Sequence, residues 1–379
     1  LESLYNKIRA EINSPKIEEG NKALTLNQLV RSHAHFKTIK DYHKRADEMH
    51  SMALKYKRSF GKEEREQRKL LFRESKDLRS LAKQEEKYLI STFLDEADVI
   101  ACTLVGSYDI HLKGRRFQTV IIDEAGQALE PATWIPILKA DKVIFAGDPL
   151  QLPPTVKSAR AEKLGLETTL IEKCIERQGN AVQLLNTQYR MNENIMKFSS
   201  DQFYGGNLLA ADAIAKAKLE GQEVIEWIDT AGCGYEEEGE GKSRSRTNPG
   251  ETEILKKHLS QLMDIFGDDL EVGVISPYRA QVELLRETLV PQKNLIVQTI
   301  DGFQGQEKDV IYISLVRSNE AGNIGFLKDR RRMNVAMTRA KKKLIIIGDS
   351  ATIGNDSFYN AFLDYIESIN AYHSAWEWM

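Results

Sequence analysis

A recurrence of short apolar runs, most of them closing on a small or acidic residue, constrains this chain more than any other feature. The first three are Val99 to Thr103, Thr119 to Glu124 and Lys142 to Asp148; the pattern resumes with Val224 to Asp229, Val272 to Tyr278, Leu295 to Thr299, Val310 to Arg317 and Leu344 to Asp349. Runs of this length read as strands buried on both faces, the pattern of a parallel sheet, with helices between them such as one after Ala128. Two α/β sheets joined near Glu176 to Leu184 fit best, and 379 residues suit two domains, or two plus an insertion.

Ahead of the strands the texture is different. Leu29 to Glu96 contains no proline and one glycine, Gly61, and has apolar residues at helical spacing, Leu71, Leu78, Leu81, Tyr88 and Leu89 among them. Two long antiparallel helices turning near Phe60 and Gly61 are expected. From Lys37 to Tyr88 there are 16 Lys and Arg against 10 Asp and Glu, a surplus of six that suits either a phosphate backbone or a solvated stalk. Tyr235 to Thr247 is almost free of apolar residues and reads as a mobile surface loop. It ends at Asn248-Pro249-Gly250-Glu251, where Asn caps a helix and Pro takes its first turn.

Composition excludes little beyond a membrane protein. With 41% hydrophobic and 29% charged residues, no window approaches the roughly 18 uninterrupted apolar residues of a span. Three scattered cysteines, Cys102, Cys174 and Cys233, fit neither a zinc site nor a disulfide framework and read as buried thiols in a reducing, intracellular setting. A net charge of -3 gives no global sign of nucleic acid, so any basic surface has to be local. The chain opens at Leu1 with neither an initiator methionine nor a leader, as an excised segment would.

Chemistry concentrates at the ends of the runs. Thr119-Val-Ile-Ile-Asp-Glu-Ala125 sets two carboxylates at the C-terminal edge of a strand, where open α/β sheets bind ligands. There Asp123 would hold a magnesium ion and Glu124 would orient and deprotonate an attacking water, although acidic caps on a following helix look the same. A second strand ends in Gly147-Asp148-Pro149-Leu150-Gln151, which brings the neutral amide of Gln151 to a γ-phosphate or its water. Cationic elements follow at Gln188-Tyr189-Arg190-Met191, at Ser276-Pro277-Tyr278-Arg279 and at Arg330 to Ala340. Phosphoryl transfer needs planar positive charge arriving on the transition state, so Arg190 and Arg339 are the candidates, against the plainer reading of surface charges. Asp301-Gly-Phe-Gln-Gly-Gln-Glu-Lys-Asp309 adds Gly305 for close backbone approach and Glu307 for a sugar hydroxyl.

In this order, Asp-Glu-Ala-Gly-Gln-Ala (123 to 128), Gly-Asp-x-x-Gln-Leu-Pro-Pro (147 to 154), Gln-Tyr-Arg-Met (188 to 191), Asp-Gly-Phe-Gln-Gly-x-Glu-Lys (301 to 308) and Asn-Val-Ala-x-Thr-Arg-Ala (334 to 340) resemble motifs II to VI of superfamily 1B helicases. Asp229-Thr-Ala-Gly-Cys-Gly234 and Ser276-Pro-Tyr resemble the immunoglobulin-mu-binding branch, beside the nonsense-mediated-decay helicase and senataxin. The resemblance runs over nearly the whole chain. It implies an α/β fold of two RecA-like parallel-sheet domains, the first incomplete, with the helical hairpin as a stalk inserted in the first. It further implies a monomer that hydrolyses ATP with Mg2+ and moves 5′ to 3′ on single-stranded DNA or RNA. Residues 1–28 would then be a remnant of the upstream region, 29–96 the stalk, 97–178 the rest of the first domain and 179–379 the second. Gly147, Asp148, Gly305 and Glu307 would contact nucleotide; Thr103, Tyr278, Arg279, Thr299 and Gln304 would contact the strand.

One departure is large. Such helicases carry a Gly-x-x-x-x-Gly-Lys-Ser/Thr phosphate loop, whose amides and lysine cradle the phosphates, and these 379 residues contain none. The nearest string, Gly239 to Ser243, has Glu236 where the first glycine belongs and follows an acidic run. The expectation is therefore the C-terminal portion of a helicase motor, poorly active by itself. The alternative is a nucleic-acid-binding module or scaffold without turnover.

Overall fold

The computed structural model describes residues 25–55, 61–239 and 245–379, which fall in two compact units. The first runs through Gln118 and includes 135–141; the second holds 119–134 and 142–379.

In the first unit a short helix α1 (Leu26–Ser32) precedes the expected hairpin, α2 (Phe36–Lys55) and α3 (Lys62–Glu96). Gly61 caps α3, while the expected turn at Phe60 lies outside the described residues. The seam differs from the expected one. Ile39, Ala46 and Ala53 on α2 and Ser75, Ala82 and Leu89 on α3 are buried, each set spaced by seven, whereas Leu81 and Tyr88 are exposed. Small residues at a heptad seam let two helix axes approach closely, so the largest apolar side chains fall outside the contact. The Ser75 hydroxyl donates to Ala46 O across the seam (2.8 Å), and Arg79–Asp47 (2.9 Å) and His35–Glu85 (2.8 Å) flank it.

The expected strand at Val99 to Thr103 does not form. A parallel strand exists only by pairing, and this segment has no neighbour to pair with among the described residues; Val99 is exposed. Of the three cysteines expected to be buried, Cys102 is exposed and the others are half-buried. Next come β1 (Phe117–Ile122), α4 (Glu130–Ile137) and β2 (Ala140–Phe145), with β1 paired to β2. Phe117 N–H donates to Lys139 O (2.8 Å) and Ala146 N–H to Ile122 O (2.9 Å), an advance in step that makes the pair parallel. Burial on both faces was expected here, but most residues of both strands are exposed or half-exposed, as two strands flanked by no third among the described residues must be.

In the second unit, α5 (Ala159–Lys163) and α6 (Leu170–Arg177) lead to a two-residue parallel pair, β3 (Thr187–Gln188) with β4 (Leu209–Ala210), around α7 (Glu193–Phe203). After α8 (Asp212–Ala215) the main sheet is built from β5 (Ile225–Asp229), β6 (Val272–Ser276), β7 (Leu295–Thr299), β8 (Lys308–Ser314), β9 (Ala340–Gly348) and β10 (Tyr372–Ser374). All neighbours are parallel, in the order β10-β5-β9-β8-β6-β7. The helices between them are α9 (Pro249–Phe266), α10 (Arg279–Thr288), α11 (Arg330–Met337), α12 (Ser350–Ile353) and α13 (Ser357–Ser368). Burial on both faces holds here. Trp227, Ile311, Ile313 and Ile346 pack with α7, α11 and α13 residues, and the alternating Ile228, Val310, Tyr312, Ile345 and Ile347 pack with Leu255, Leu259 and Leu285 opposite.

Two buried carboxylates show how the sheet tolerates charge. Glu226 meets the fully buried Lys343 ammonium and His258 Nε2 (2.8 Å); desolvation pushes its pKa up, but these partners outweigh it and hold the group down to about 2. Glu251, wholly buried on α9, has no cation against it among the described residues. It accepts from Val316 N–H (2.9 Å) and the Ser314 hydroxyl (2.6 Å), and burial still pushes its pKa up to about 8. These contacts fix Val316 at φ 72°, a left-handed conformation costly for a β-branched residue. The Asn248 cap forms as expected, donating its own amide to Val316 O (3.3 Å). The loop expected to be mobile is tied down on both described sides: Glu238 and Thr247 exchange backbone bonds, and Glu237 pairs with Arg317 at 3.0 Å. Residues 240–244, with most of the rejected Gly239 to Ser243 string, lie outside the described residues.

Glu251 carries a pH signature. Its folded pKa of about 8 lies above the ordinary 4.5, so the folded chain holds a proton that the unfolded chain releases. Its contribution is complete below pH 4.5 and is lost as pH rises through 8, at up to about 1.4 kcal/mol per pH unit. Urea denaturation between pH 5 and 8 should show this slope, and Glu251→Gln should flatten it; an unchanged slope would place the titrating group elsewhere.

Candidate active site

The site lies in the second unit, at the ends of β1 and β2 and along α11. Asp123 and Glu124 follow β1, both exposed, with Glu124 at φ 52°, a strained conformation for a residue with a side chain. Its amide donates to Asp123 Oδ1 (3.0 Å) and its carboxylate accepts from Gln127 Nε2 (2.7 Å), which fixes the outward direction of the acid. Directly behind, Ala125 N–H donates to Ala146 O (2.9 Å), stitching this turn to the one after β2.

That second turn requires its glycine. A Cβ on Gly147 would stand 2.7 Å from Ala125 N and 2.9 Å from Gly126 N, and one on Gly126 would stand 2.6 Å from Asp148 O. The two turns therefore pack backbone to backbone. Asp148 folds its own loop, accepting from Leu150 N–H (2.9 Å) through Oδ1 and from Gln151 Nε2 (2.9 Å) through Oδ2. Gln151 is thereby held with its carbonyl turned outward, where it accepts from Arg339 Nη2 (3.3 Å).

Arg339 is 4% exposed and also donates to Val335 O (3.0 Å). Burial brings its pKa down to about 10, helped by the neighbouring charge of Arg190 and opposed by the carboxylates of Glu124 and Glu307. Arg190 donates to Glu307 (2.5 Å) and to Thr338 O (3.2 Å), and Lys341 reaches the same carboxylate at 3.3 Å. Desolvation raises the Glu307 carboxyl, yet Arg190 and Lys341 leave it below its ordinary range. Asp123, Glu124, Gly147, Asp148, Gln151, Arg190, Glu307 and Arg339, spread over more than 200 positions, thus belong to one cluster. Gly305, beside Glu307, is exposed and takes φ 74°, the left-handed conformation that suits glycine.

The expected strand contacts fare unevenly. Tyr278 is corrected: it is 1% exposed, its ring packed on Phe326 and its hydroxyl accepting from Phe326 N–H, so it offers no face to a base. A Tyr placed directly after a buried strand is drawn into the core unless its hydroxyl can only be satisfied outside. Arg279 is exposed and paired with Glu283 (2.9 Å). Thr299 accepts from Gly302 N–H (3.1 Å), Gln304 keeps a buried amide nitrogen without a partner, and in the first unit Thr103 accepts from Gly106 N–H (2.9 Å).

Two contributors escaped sequence reasoning. Tyr204 donates to Asp148 Oδ2 (2.5 Å), and Asn334, fully buried, donates to the Tyr204 hydroxyl (3.1 Å) and to Leu150 O (3.1 Å). Asn334 stood inside a quoted motif without a role. Tyr204 had only Gly205-Gly206 behind it, a helix-end signal that says nothing of where the ring points.

A six-stranded, fully parallel sheet covered on both faces, beside a separate parallel pair whose first strand ends in two carboxylates and whose second leads to a loop reached by a buried arginine, is a mixed α/β fold of the RecA-like kind. Two family models described as AAA domain match residues 3–159 and 166–351. Over 322 residues, 81% of this chain and 33% of the relative, the chain is 39% identical to "DNA-binding protein SMUBP-2" of Mesocricetus auratus. It is 39% identical to "DNA polymerase alpha-associated DNA helicase A" of Schizosaccharomyces pombe, over 77% of this chain and 47% of that one. To "Helicase sen1" of the same yeast it is 37% identical, over 77% of this chain and 18% of the relative. The chain belongs to the superfamily 1B helicases, in the branch of the immunoglobulin-mu-binding, nonsense-mediated-decay and senataxin helicases. It spans between about a fifth and a half of the length of these relatives.

The backbone contact between the two turns makes a steric prediction. Gly147→Ala should destabilise the second unit by about 1–3 kcal/mol, because the obstructing atoms are main chain and cannot rotate away. Gly179→Ala, whose added Cβ meets nothing within 4 Å, should stay within about 0.5 kcal/mol of the parent. Urea denaturation of the pair tests it; equal stabilities would mean that the turns separate freely.

Proposed function

We propose that this chain carries the hydrolytic and strand-contacting parts of an ATP-dependent helicase that moves 5′ to 3′ on single-stranded DNA or RNA. The carrying observation is the convergence of Glu124, Gln151 and Arg339: a strained, outward-facing carboxylate, a fixed amide and a partly desolvated guanidinium in one cluster. Phosphoryl transfer needs little else from protein side chains than positioning and charge. Glu124 is the base that orients and deprotonates water. Gln151 holds that water or senses the γ-phosphate, and Arg339 and Arg190 meet charge that grows on the transferring group. Arg190 is occupied by Glu307, so its engagement requires exchanging that carboxylate for phosphate.

Asp123 would hold Mg2+ through water. The ion would supply charge neutralisation between the phosphates. The residues present thus fit the metal and γ-phosphate end of ATP. The loop that cradles the remaining phosphates is not among these 379 residues, so turnover requires those donors from elsewhere in the protein. This reading agrees with the printed names of the relatives, two of which say helicase. No helix among the described residues is long and apolar enough to cross a membrane.

Turnover in the full natural protein and in this chain separates the parts of the proposal. The chain alone should release phosphate negligibly under saturating single strand. In the full protein, Glu124→Gln should keep nucleotide affinity and lose about 10²-fold or more in rate, and Arg339→Ala roughly 10³-fold or more. Normal hydrolysis by Arg339→Ala would return that residue to a purely structural role, and no turnover by the full protein under any condition would favour the scaffold reading.

Strand binding should survive in the chain alone, since Arg279, Thr299, Gln304 and the basic stalk are not among the residues assigned to phosphate. Each neutralised phosphate contributes a slope of roughly -0.7 in log affinity against log salt, so a handful of contacts should cost more than tenfold between about 50 and 200 mM. Fluorescence anisotropy on poly-pyrimidine and mixed strands reads this out. Arg279→Ala should weaken all sequences alike, whereas salt-independent or sequence-selective binding would argue for a dedicated recognition module.

A further inference from the structure

We propose that the Tyr204 hydroxyl is a positioning group for hydrolysis, setting Asp148 so that Gln151 presents its carbonyl to Arg339. The inference rests on the ATPase reading above and concerns a residue that none of the quoted motifs contains.

The geometry is a closed ring of hydrogen bonds. Tyr204 Oη donates to Asp148 Oδ2 (2.5 Å); the same oxygen accepts from Gln151 Nε2 (2.9 Å); Gln151 Oε1 accepts from Arg339 Nη2 (3.3 Å). Arg339 lies just beyond α11, whose Asn334 closes the ring by donating to Tyr204 Oη (3.1 Å) and to Leu150 O (3.1 Å). In this ring the phenol, like the Gln151 amide, donates to one side and accepts from the other, as its single proton and lone pairs allow. Its proton is well held: burial first, then the Asp148 carboxylate, raise its pKa, so it stays a donor.

The ring is aimed by local structure. Tyr204 ends α7, its N–H on Ser200 O (3.0 Å), and Gly205 and Gly206 follow at φ 60° and 74°. Two left-handed residues in succession turn the chain off the helix at once and leave the phenol projecting from its end toward the Asp148 loop. Asp148 Oδ2 receives two donors, so the direction of the Gln151 amide depends on the first donor keeping the carboxylate in place. Removing the hydroxyl leaves Gln151 as the lone donor on that oxygen and frees its amide to rotate. Arg339 then loses a defined acceptor while remaining buried.

Tyr204→Phe removes one oxygen and keeps the ring packing. In the full natural protein it should lower single-turnover ATP cleavage roughly tenfold or more, the range of one hydrogen bond to a charged group, with KM for ATP and single-strand affinity within about twofold. Combined with Asp148→Asn it should add nothing to the loss that Asp148→Asn causes alone. In this chain, hydrogen exchange at the Leu150 and Gln151 amides should quicken without a matching loss of global stability. Should the Phe variant fold poorly, 3-fluorotyrosine at the same position keeps the donor and should restore the exchange pattern. Wild-type cleavage by Tyr204→Phe, losses that multiply with those of Asp148→Asn, or a uniform fall in stability and exchange protection would overturn the proposal. Glu124→Gln run in parallel separates the two claims: if it too cleaves ATP normally, the fault lies with the ATPase reading.

Discussion

A guanidinium that is 4% exposed must find acceptors, and the site depends on how Arg339 finds them. One is Val335 O, a carbonyl of the helix α11 that Arg339 follows; the other is Gln151 Oε1, on a loop from a different sheet and 188 positions away. A charge in that position ties the loop to the helix for as long as the loop keeps its shape. Asp148 gives the loop that shape through Leu150 N–H and Gln151 Nε2, and Gly147 lets it seat against the turn that carries Glu124. Burial makes the contact useful as well as necessary. An arginine whose pKa is drawn down to about 10 is incompletely solvated, so new negative charge nearby is worth more to it than to a surface arginine.

The main sheet explains why such distant residues meet. Parallel strands place all their N-terminal ends on one edge, so Glu307, just before β8, and Arg339, just before β9, are neighbours there, with Lys308 N–H donating to Arg339 O (3.1 Å). The second unit also buries several acids, and the fold handles them in different ways. Glu226 is neutralised by Lys343 and His258 on the sheet, Glu237 by Arg317, and Glu251 by retaining its proton. Glu251 in turn holds Val316 in a strained conformation directly before Arg317. Strain of that kind persists where the surroundings over-determine it, and here a buried carboxyl and the Asn248 amide grip the N–H and the carbonyl of one residue.

Much of this was legible in the sequence because it rests on local rules. β7 matches Leu295 to Thr299 residue for residue, and the Asn248-Pro249 start of α9 follows from capping chemistry alone. The cluster of Asp123, Glu124, Gln151, Arg190 and Arg339 was legible through motif order. What failed was non-local. Tyr278 has the same neighbours in sequence whether it faces a nucleic acid or Phe326, and only the packing decides. Leu81 and Tyr88 fall on the helical stripe by their spacing, while the burial of Ala46, Ala82 and Ser75 shows that close approach was the stronger demand. Val99 to Thr103 has strand composition without a strand partner, and composition cannot supply one. Tyr204 was invisible because its role is fixed by the end of one helix and the start of another loop, 56 positions apart.

The account stands or falls on whether Gln151 and Arg339 act as one unit in hydrolysis. A double-mutant cycle of Gln151→Ala and Arg339→Lys, read by single-turnover ATP cleavage in the full natural protein, measures this directly. Residues joined in one network show coupling of about 0.5–3 kcal/mol, so the double variant should cleave no more slowly than the slower single variant by any wide margin. Losses that simply multiply would mean that the loop and the arginine act independently and that their hydrogen bond is incidental to the chemistry.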